Sequence, residues 1–324
     1  MSLYNEYIPL KFDDSILHKA IIKRLKNLKT IVGSIILYGP NGCGKYILSR
    51  MILENVFGMD IYNQNEIIIT YGKKSFLVYS SNYHYEIYLK DSYIKSSELE
   101  DFIETIGQNR SIVHNKQKII IVKNSEYLSI ETIFVIKKLI EKQKLSFILL
   151  TNQLTSRFLD ISSLFMCIRV PLVEMNELVQ FVKYIKKKDK IKIVVKDIKE
   201  IIIKNKLNIS RILYNLKIYS ITGSIEYKDI LNKKLDIILD LVYRKNIYDI
   251  TKIRKLLYDL GSHNINRYEI LKYCFTKTVS KLNTTKKQIE LLEFTSEINN
   301  KLSHSFKTII HIEYYLIKLM DFIE

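Results

Sequence analysis

The sequence predicts an α/β domain built around a parallel sheet, followed by a helical C-terminal part. Three observations predict it. Short apolar runs alternate with helical patterns as far as Pro171, a glycine-rich loop lies between one such run and the helix after it, and strand patterns thin out beyond Pro171. With 324 residues, of which 47% are hydrophobic, the chain is long enough for two or three globular domains.

The predicted strands are short apolar runs without polar alternation, which is typical of strands buried on both faces of a parallel sheet. They cover residues 34–39, 84–89, 118–123, 146–151 and 166–171. The segment 65–81 is predicted to form a hairpin that turns at Gly72.

Helical patterns fill the intervals between the strands. The segment 45–58 follows the glycine loop and ends at Gly58, a residue type favoured just beyond a helix C-terminus. Residues 96–108 carry acidic side chains early, which suits a helix N-terminus, and residues 129–143 place apolar side chains at helical spacing. Because crossovers between parallel strands are right-handed, this alternation predicts a three-layer α/β domain.

Beyond Pro171 the patterns favour helices. Residues 174–191 and 196–221 have the pattern of small helices, and we expect the lysine run at 186–190 to be a solvated loop. Two amphipathic faces mark the last part of the chain. Their apolar positions are Ile253, Leu256, Leu257, Leu260, Ile309, Ile312, Leu316, Leu319 and Ile323. Such faces either form an ordinary helical core or pack on copies or relatives of the chain.

The charge of the chain is strongly positive. Lysine and arginine number 51 against 34 acidic residues, a net charge of +17. This balance favours a polyanionic partner such as nucleic acid, or an anionic surface. The alternative is that the lysines report an AT-biased genome and stay solvated.

The cysteines Cys43, Cys167 and Cys274 lie far apart and without paired spacing. We therefore expect neither a disulfide framework nor a zinc site, which fits a reducing compartment. The N-terminus lacks the apolar core of a signal peptide, and no apolar run nears the ~20 residues of a membrane span. No membrane partner is expected.

The glycine loop carries the chemistry that the sequence predicts. It has the G-x-x-x-x-G-K pattern between a strand and a helix and consists of Gly39, Pro40, Asn41, Gly42, Cys43, Gly44 and Lys45. Glycines allow backbone N–H groups to turn toward a phosphate, the helix N-terminus adds its dipole, and Lys45 adds a positive charge. ATP or ADP is the predicted ligand.

The parts that hydrolysis needs are missing. A Ser or Thr hydroxyl normally follows the loop lysine and binds Mg²⁺, but Tyr46 stands there. A second strand should end in acidic residues, and the strand at 118–123 ends in Lys123 followed by Asn124. Glu126 lies two residues further on and is expected to cap the next helix. The sequence is thus compatible with nucleotide binding and argues against a magnesium site and against any catalytic residue.

These residues resemble the clamp-loader AAA+ family. More narrowly, they resemble the replication factor C small subunit with a degenerate ATP site, called subunit three in humans and subunit five in budding yeast. The resemblance runs nearly end to end. It is carried by "SLYNEYIP", "YGPNGCGK", "SSNYHYEI", "LSIETIFVIKKLIEK", "LLTNQLTS" and "CIRVPLVEMNEL", and later by "LLYDLGSHNINRYEILKYCF" and "IIHIEYYLIKLMDF". "SSNYHYEI" is distinctive of this one subunit type.

The resemblance implies an AAA+ α/β domain at 1–173, a small helical lid domain at 174–230 and an all-helical collar domain for oligomerisation at 231–324. The loop motif and the resemblance together assign residues to nucleotide binding, with Asn152 at the sensor-1 position. These residues are Tyr7, Pro9, Gly39, Pro40, Asn41, Gly42, Cys43, Gly44, Lys45, Tyr46, Asn152 and Arg211.

Departures from the family pattern imply an architectural role. Leu164 stands where the family has the arginine that reaches into a neighbour's ATP site, and a leucine cannot stabilise phosphoryl charge. At sensor 2, Ser210 aligns with the usual arginine and Arg211 is one residue further on. Ile8 replaces an arginine that lies near the adenine. The chain is thus expected to lack ATPase activity of its own within an ATP-dependent clamp-loading complex.

The resemblance also implies partners. They are the other subunits of a hetero-oligomer, expected to be a pentamer, a PCNA-like sliding clamp, and primer–template DNA. We expect Asn109, Arg110 and Lys116 to contact the DNA backbone, together with the start of the 129–142 helix, unless these residues form an ordinary solvated surface. The expected location is the nucleus, or a viral replication compartment in the host cell if the chain is viral.

Two alternatives remain open at this point. One is a stand-alone P-loop ATPase in DNA replication or repair, such as a helicase loader or a small nucleotide kinase, which would need an acidic strand end. The other is a structural adaptor that has lost nucleotide binding, against which Lys45 and the intact glycines argue.

Overall fold

The computed structural model describes residues 9–26, 33–71, 74–89, 96–108, 118–142, 145–189, 191–223, 230–262, 267–304 and 308–322. The chain divides into two compact units, Met1–Ile225 and Glu226–Glu324. The further boundary between residues 173 and 174 stays a prediction. Within the described ranges, no helix is both long enough and apolar enough to cross a membrane.

The first unit is organised around one sheet, which is seven-stranded within the described residues and ordered β2-β3-β4-β5-β6-β1-β7. The strands are β1 Ser34–Tyr38, β2 Asn65–Tyr71, β3 Lys74–Ser80, β4 His84–Tyr88, β5 Lys118–Lys123, β6 Leu145–Thr151 and β7 Phe165–Arg169. From β4 to β7 all neighbouring strands are parallel, and β3 pairs antiparallel with both β2 and β4. All the predicted strands and the hairpin are present, although Gly72 lies outside the described residues.

Helices cover both faces of this sheet. They are α1 Lys19–Leu25, α2 Lys45–Phe57, α3 Ser96–Gln108, α4 Ile130–Glu141 and α5 Ser156–Leu159. Alternate residues of β1 enter two different cores, because neighbouring side chains of a strand point to opposite faces. Ile36 packs in the cluster that includes Phe102 of α3, and Leu37 packs in the one that includes Met51 of α2. The predicted three-layer fold is thereby confirmed.

The rest of the first unit is helical, with α6 Met175–Lys188, α7 Val195–Lys204 and α8 Ile209–Thr222 around a core of their own. The prediction of a loop for the lysine run was wrong as far as residue 188. Lys186 lies in the last turn of α6, and its Nζ donates a hydrogen bond to the carbonyl oxygen of Ile193 at 2.6 Å. Lys190 lies outside the described residues.

The second unit consists of helices α9 Ile230–Tyr243, α10 Ile250–Ser262, α11 Arg267–Val279, α12 Thr285–His304 and α13 Thr308–Phe322. The apolar faces predicted for α10 and α13 point into its core. Ile253, Leu257, Leu260, Ile312, Leu316 and Leu319 are buried there, and Leu256 and Ile309 pack against them. Ile323 is outside the described residues. These faces form an ordinary helical core, the simpler of the two alternatives.

Candidate phosphate-binding site

The glycine loop connects β1 to α2 and needs glycine at two positions. Gly39 and Gly42 have φ angles of 156° and 76°, which residues with a side chain rarely adopt. A Cβ atom on Gly39 would lie 2.0 Å from the carbonyl oxygen of Val170, and one on Gly42 would lie 2.2 Å from the side chain of Asn208. The loop therefore fits against its surroundings only without side chains at these positions.

Lys45 begins α2 and turns its ammonium group back toward the loop. The Nζ atom donates hydrogen bonds to the carbonyl oxygens of Gly39 at 2.6 Å and Pro40 at 2.9 Å, and to Oδ1 of Asn152 at 3.4 Å. Burial lowers the pKa of Lys45, an effect that Cys43 and the Glu126 carboxylate oppose. The ammonium group is thus held where a phosphate on the loop would meet it.

Asn152 follows the end of β6 and links Lys45 to an acidic residue that the sequence interpretation assigned wrongly. Its Nδ2 atom donates a hydrogen bond to Oε1 of Glu126, which also accepts from Nδ2 of Asn124 at 3.4 Å. Glu126 does not cap the next helix, because Ser129 does so by accepting from the backbone N–H of Thr132 at 3.1 Å. A carboxylate therefore lies beside the loop lysine, although not at the expected place in the strand.

Tyr46, Glu86 and Lys123 form a compact group, here called the Glu86 cluster. The Tyr46 hydroxyl donates a hydrogen bond to Oε2 of Glu86 at 2.9 Å, and Lys123 Nζ lies 2.7 Å from the same oxygen. Lys123 Nζ also lies 3.6 Å from the centroid of the Tyr46 ring, a cation–π contact. Arg50 donates to the Tyr46 hydroxyl at 3.3 Å. The side chain after the loop lysine is thus turned into the sheet rather than toward a ligand on the loop.

The pKa values of the Glu86 cluster follow from burial and from these contacts. Burial alone would raise the pKa of Glu86, but His84, Lys123 and Gln64 hold the pKa of that carboxyl well below its usual range. Burial lowers the pKa of Lys123, which Glu86 opposes. Burial and the Glu86 charge raise the pKa of the Tyr46 phenol well above its usual range. Glu86 is therefore ionised, and the phenol keeps its proton.

A cavity of about 280 Å³ opens beside the end of the loop. Its lining combines the N-terminal segment, the start of α2 and the helices α6 and α8. Lining residues include Pro9, Leu17, Gly44, Ile47, Phe181 and Ile209. Most of these side chains are apolar, a lining typical of sites that hold the base of a nucleotide or another flat organic group.

Two residues that the sequence interpretation missed bind the loop to the helices around it. His18 Nε2 lies 2.6 Å from the carbonyl oxygen of Cys43, and the backbone N–H of His18 donates to Glu177 of α6 at 3.3 Å. Asn208 Nδ2 donates to the carbonyl oxygen of Asn41 at 3.2 Å. Asn208 is the N-cap of α8, and nothing in the sequence indicated its contact with the loop.

The remaining predicted site residues fall into two groups. Arg211 is exposed on α8, and its backbone N–H donates a hydrogen bond to Oδ1 of Asn208. The residue of α8 that contacts the loop is instead Ile209, whose backbone N–H donates to the carbonyl oxygen of Gly42. Cys43 is buried within the loop, and Leu164 packs against the core. The second group lies outside the described residues and consists of Tyr7, Ile8, Asn109, Arg110 and Lys116.

The start of α4, predicted to contact DNA, exposes the acidic side chain of Glu131 and several large apolar or aromatic side chains. Tyr127, just before the helix, and Ile130 and Phe134 within it are large exposed residues. In the part of the chain that the structure describes, no group of three or more His, Cys, Asp or Glu residues is arranged to hold a metal ion.

Four features define the class of protein. They are the parallel sheet, the glycine loop between β1 and α2, the asparagine beyond β6 that accepts a hydrogen bond from the loop lysine, and the helices that pack around the loop. The class is a three-layer α/β P-loop fold of the AAA+ type, followed by a helical unit.

Comparison with known proteins narrows this class. Residues 228–324 match the family described as replication factor C subunit 3, C-terminal domain. The chain is 25% identical to a putative replication factor C small subunit of Acanthamoeba polyphaga mimivirus, over 99% of the chain and 91% of the relative. It is 24% identical to replication factor C subunit 5 of Saccharomyces cerevisiae, over 92% of each, and 22% identical to replication factor C subunit 3 of Arabidopsis thaliana, over 98% and 96%.

Over nearly its whole length the chain is therefore similar to proteins named as replication factor C small subunits, at low identity.

Proposed function

We propose that the chain is an architectural small subunit of a replication factor C-like clamp loader that binds ATP or ADP without hydrolysing it. One observation carries the proposal. The loop that holds phosphates is complete, whereas Tyr46 and Lys123, which stand at the positions of metal ligands, are bonded to Glu86 instead.

The loop and the cavity beside it support nucleotide binding. Gly44 belongs to both, so a base in the cavity would place its phosphates toward Lys45 and the N-terminus of α2. The Oδ1 atom of Asn152 accepts a hydrogen bond from the Lys45 ammonium group, and its amide N–H can donate one to the terminal phosphate. Pro9 and the N-terminal segment close the cavity from the other side.

The residues present do not fit Mg²⁺ in the arrangement usual for P-loop proteins. That arrangement uses a hydroxyl after the loop lysine and an acid at the end of the second strand. Here the Tyr46 hydroxyl donates a hydrogen bond to Glu86, and the strand ends in the cation Lys123. Leu164 also offers no positive charge to a neighbouring subunit's nucleotide. We therefore assign hydrolysis to other subunits of the complex.

The proposed partners are the remaining subunits of a heteropentamer, a PCNA-like sliding clamp and primer–template DNA. The net charge of +17 supports a polyanionic partner. The match of residues 228–324 to the C-terminal domain of replication factor C supports a collar that joins subunits. The proposed location is the nucleus or, for a viral chain, the viral replication compartment.

The test is to measure nucleotide binding and turnover on the full-length chain, and then to co-express it with the other clamp-loader subunits. Binding without turnover, together with a stoichiometric complex, is the expected result. Brisk turnover would contradict the assignment of hydrolysis to other subunits. A chain that stays monomeric would contradict the architectural role, and a failure to bind nucleotide would favour the structural adaptor.

A stand-alone ATPase is the second candidate, and Glu126 is the observation that favours it. The Glu126 carboxylate acts electrostatically on Lys45, and its Oε2 atom is buried with no hydrogen-bond partner among the residues that the structure describes. Such an oxygen can accept a proton from a water molecule. If the chain hydrolyses ATP, Glu126→Gln should abolish turnover while Lys45-dependent binding persists.

A further inference from the structure

The Glu86 cluster has a property that the proposed function does not use. Both oxygens of its carboxylate already accept hydrogen bonds from other side chains. Oε2 accepts from Tyr46 at 2.9 Å and from Lys123 at 2.7 Å, and Oε1 accepts from Gln64 Nε2 at 2.8 Å with His84 Nε2 at 3.3 Å. A carboxylate offers about four lone-pair sites, and four groups surround this one.

The charges of the cluster also oppose a divalent cation. Glu86 is buried, with its side chain 1% exposed, and its charge is balanced by Lys123 within hydrogen-bond distance. An acid at the end of β5 would carry −1, whereas Lys123 carries +1, so the local charge differs by two units. That difference equals the charge of Mg²⁺, and a second cation beside the ammonium group would be repelled.

We propose that this site binds nucleoside di- and triphosphates without a divalent cation, because the Glu86 cluster closes the position where the metal ion would be held. The inference rests on the proposed nucleotide binding and specifies its ligand. It predicts that free ADP or ATP binds as tightly as the magnesium complex.

Glu126 is the competing metal ligand and must be separated from the cluster. It lies on the Asn152 side of Lys45, and its Oε1 atom already accepts from two amide groups. Mg²⁺ prefers six oxygen ligands in an octahedron, usually one or two carboxylates with phosphates and waters. Glu126 offers such a site one carboxylate oxygen, and the positive charge of Lys45 weakens its attraction for a cation.

The experiment is a titration of the full-length chain with a fluorescent N-methylanthraniloyl derivative of ADP, in excess EDTA and in saturating Mg²⁺. The expected dissociation constants agree within about threefold. Binding that is lost, or weakened about tenfold or more, in EDTA would overturn the inference while leaving the proposed nucleotide binding intact. Absence of binding in both buffers would overturn the proposed nucleotide binding itself.

Variants of the cluster test its role directly. The double variant Tyr46→Thr, Lys123→Asp restores the usual hydroxyl and acid, and it should gain an affinity increase of about tenfold or more on addition of Mg²⁺. Lys118→Asp makes the same charge change at the opposite end of β5 and should gain none. If the double variant binds equally with and without Mg²⁺, the cluster is not what excludes the metal. If that variant fails to fold, the titration of the unmodified chain decides the matter.

If nucleotide binding by the unmodified chain depends on Mg²⁺, the variant Glu126→Gln shows whether the metal ion binds at Glu126. If Glu126→Gln removes this dependence, the metal binds at Glu126, and the inference that the site works without a divalent cation is wrong. We expect Glu126→Gln to leave the ratio of the two dissociation constants near one.

Discussion

Replacing Lys123 by Met removes one partner of a buried ion pair, and we expect it to lower the free energy of unfolding by about 3 kcal/mol. Lys123 Nζ lies 2.7 Å from Glu86 Oε2, and the two side chains are 19% and 1% exposed. At this distance an effective dielectric constant of about 20 gives an attraction of about 6 kcal/mol, much of which is offset by the cost of desolvating the ammonium group. Hydrogen bonds from Tyr46 and Gln64 still stabilise the carboxylate, which keeps the loss at the lower end of the usual range.

Urea unfolding near pH 7, followed by far-ultraviolet circular dichroism, measures this loss. Lys118→Met is the matched control, because the Lys118 ammonium group lies against the Tyr85 side chain and should cost less than about 1 kcal/mol. The double variant Lys123→Met, Glu86→Gln removes the stranded charge, so it should be more stable than Lys123→Met alone by about 1 kcal/mol or more. If Lys123→Met behaves like the control, or if the two single losses simply add, the ion pair does not stabilise the fold as reasoned.

Three further predictions concern the same region. The pKa of Glu86 is lower in the folded chain than its unperturbed value of about 4.3, so its stabilising contribution is fully present above that value and is lost as the pH falls below it. Acid should therefore lower the urea midpoint of the unmodified chain more than that of Glu86→Gln. Gly42→Ala should cost about 2–4 kcal/mol in unfolding free energy because its Cβ would overlap Asn208, whereas Gly58→Ala, with a φ of 82° but open space, should cost about 1 kcal/mol. Lys45→Ala should weaken the binding of fluorescent ADP about 10- to 100-fold, since one charged hydrogen-bond donor is lost.

Each of these predictions has an outcome that contradicts it. Equal acid sensitivity in the unmodified chain and Glu86→Gln would show that the Glu86 carboxyl does not titrate as inferred. Equal losses for Gly42→Ala and Gly58→Ala would mean that Asn208 moves away without cost. Unchanged affinity in Lys45→Ala would place the phosphates somewhere other than the glycine loop.

The strands of the sheet were predictable because buried parallel strands have continuous apolar sequences. The runs that form β1, β5 and β6 have no polar residue in their central positions, and polar residues beside each run mark where the strand ends. The helix α2 was equally clear, since a glycine with positive φ stands at each end of it. These features depend on residues close together in the chain, which is the range over which sequence patterns are informative.

The polar contacts of the site were harder to predict, because they depend on strand register and on packing between distant segments. Glu86 reaches Lys123 because β4 and β5 are parallel with Tyr88 opposite Lys123, which places Glu86 two residues before that pairing on the same face. Asn208 contacts Asn41 across 167 residues of sequence. A short 3₁₀ turn at Ser125–Tyr127 is enough to take Glu126 from a capping position to Asn152.

The Glu86 cluster has a consequence for how such a site can change over generations. Lys123→Asp alone would set a second carboxylate beside the buried Glu86, and Tyr46→Thr alone would remove a donor from it. Each single change leads through a less stable protein and supplies only one of the two groups that usually hold the metal ion. Under the proposed function, a chain that gains hydrolysis would need at least two changes together, so the Glu86 cluster opposes a stepwise return of a metal-dependent ATPase site.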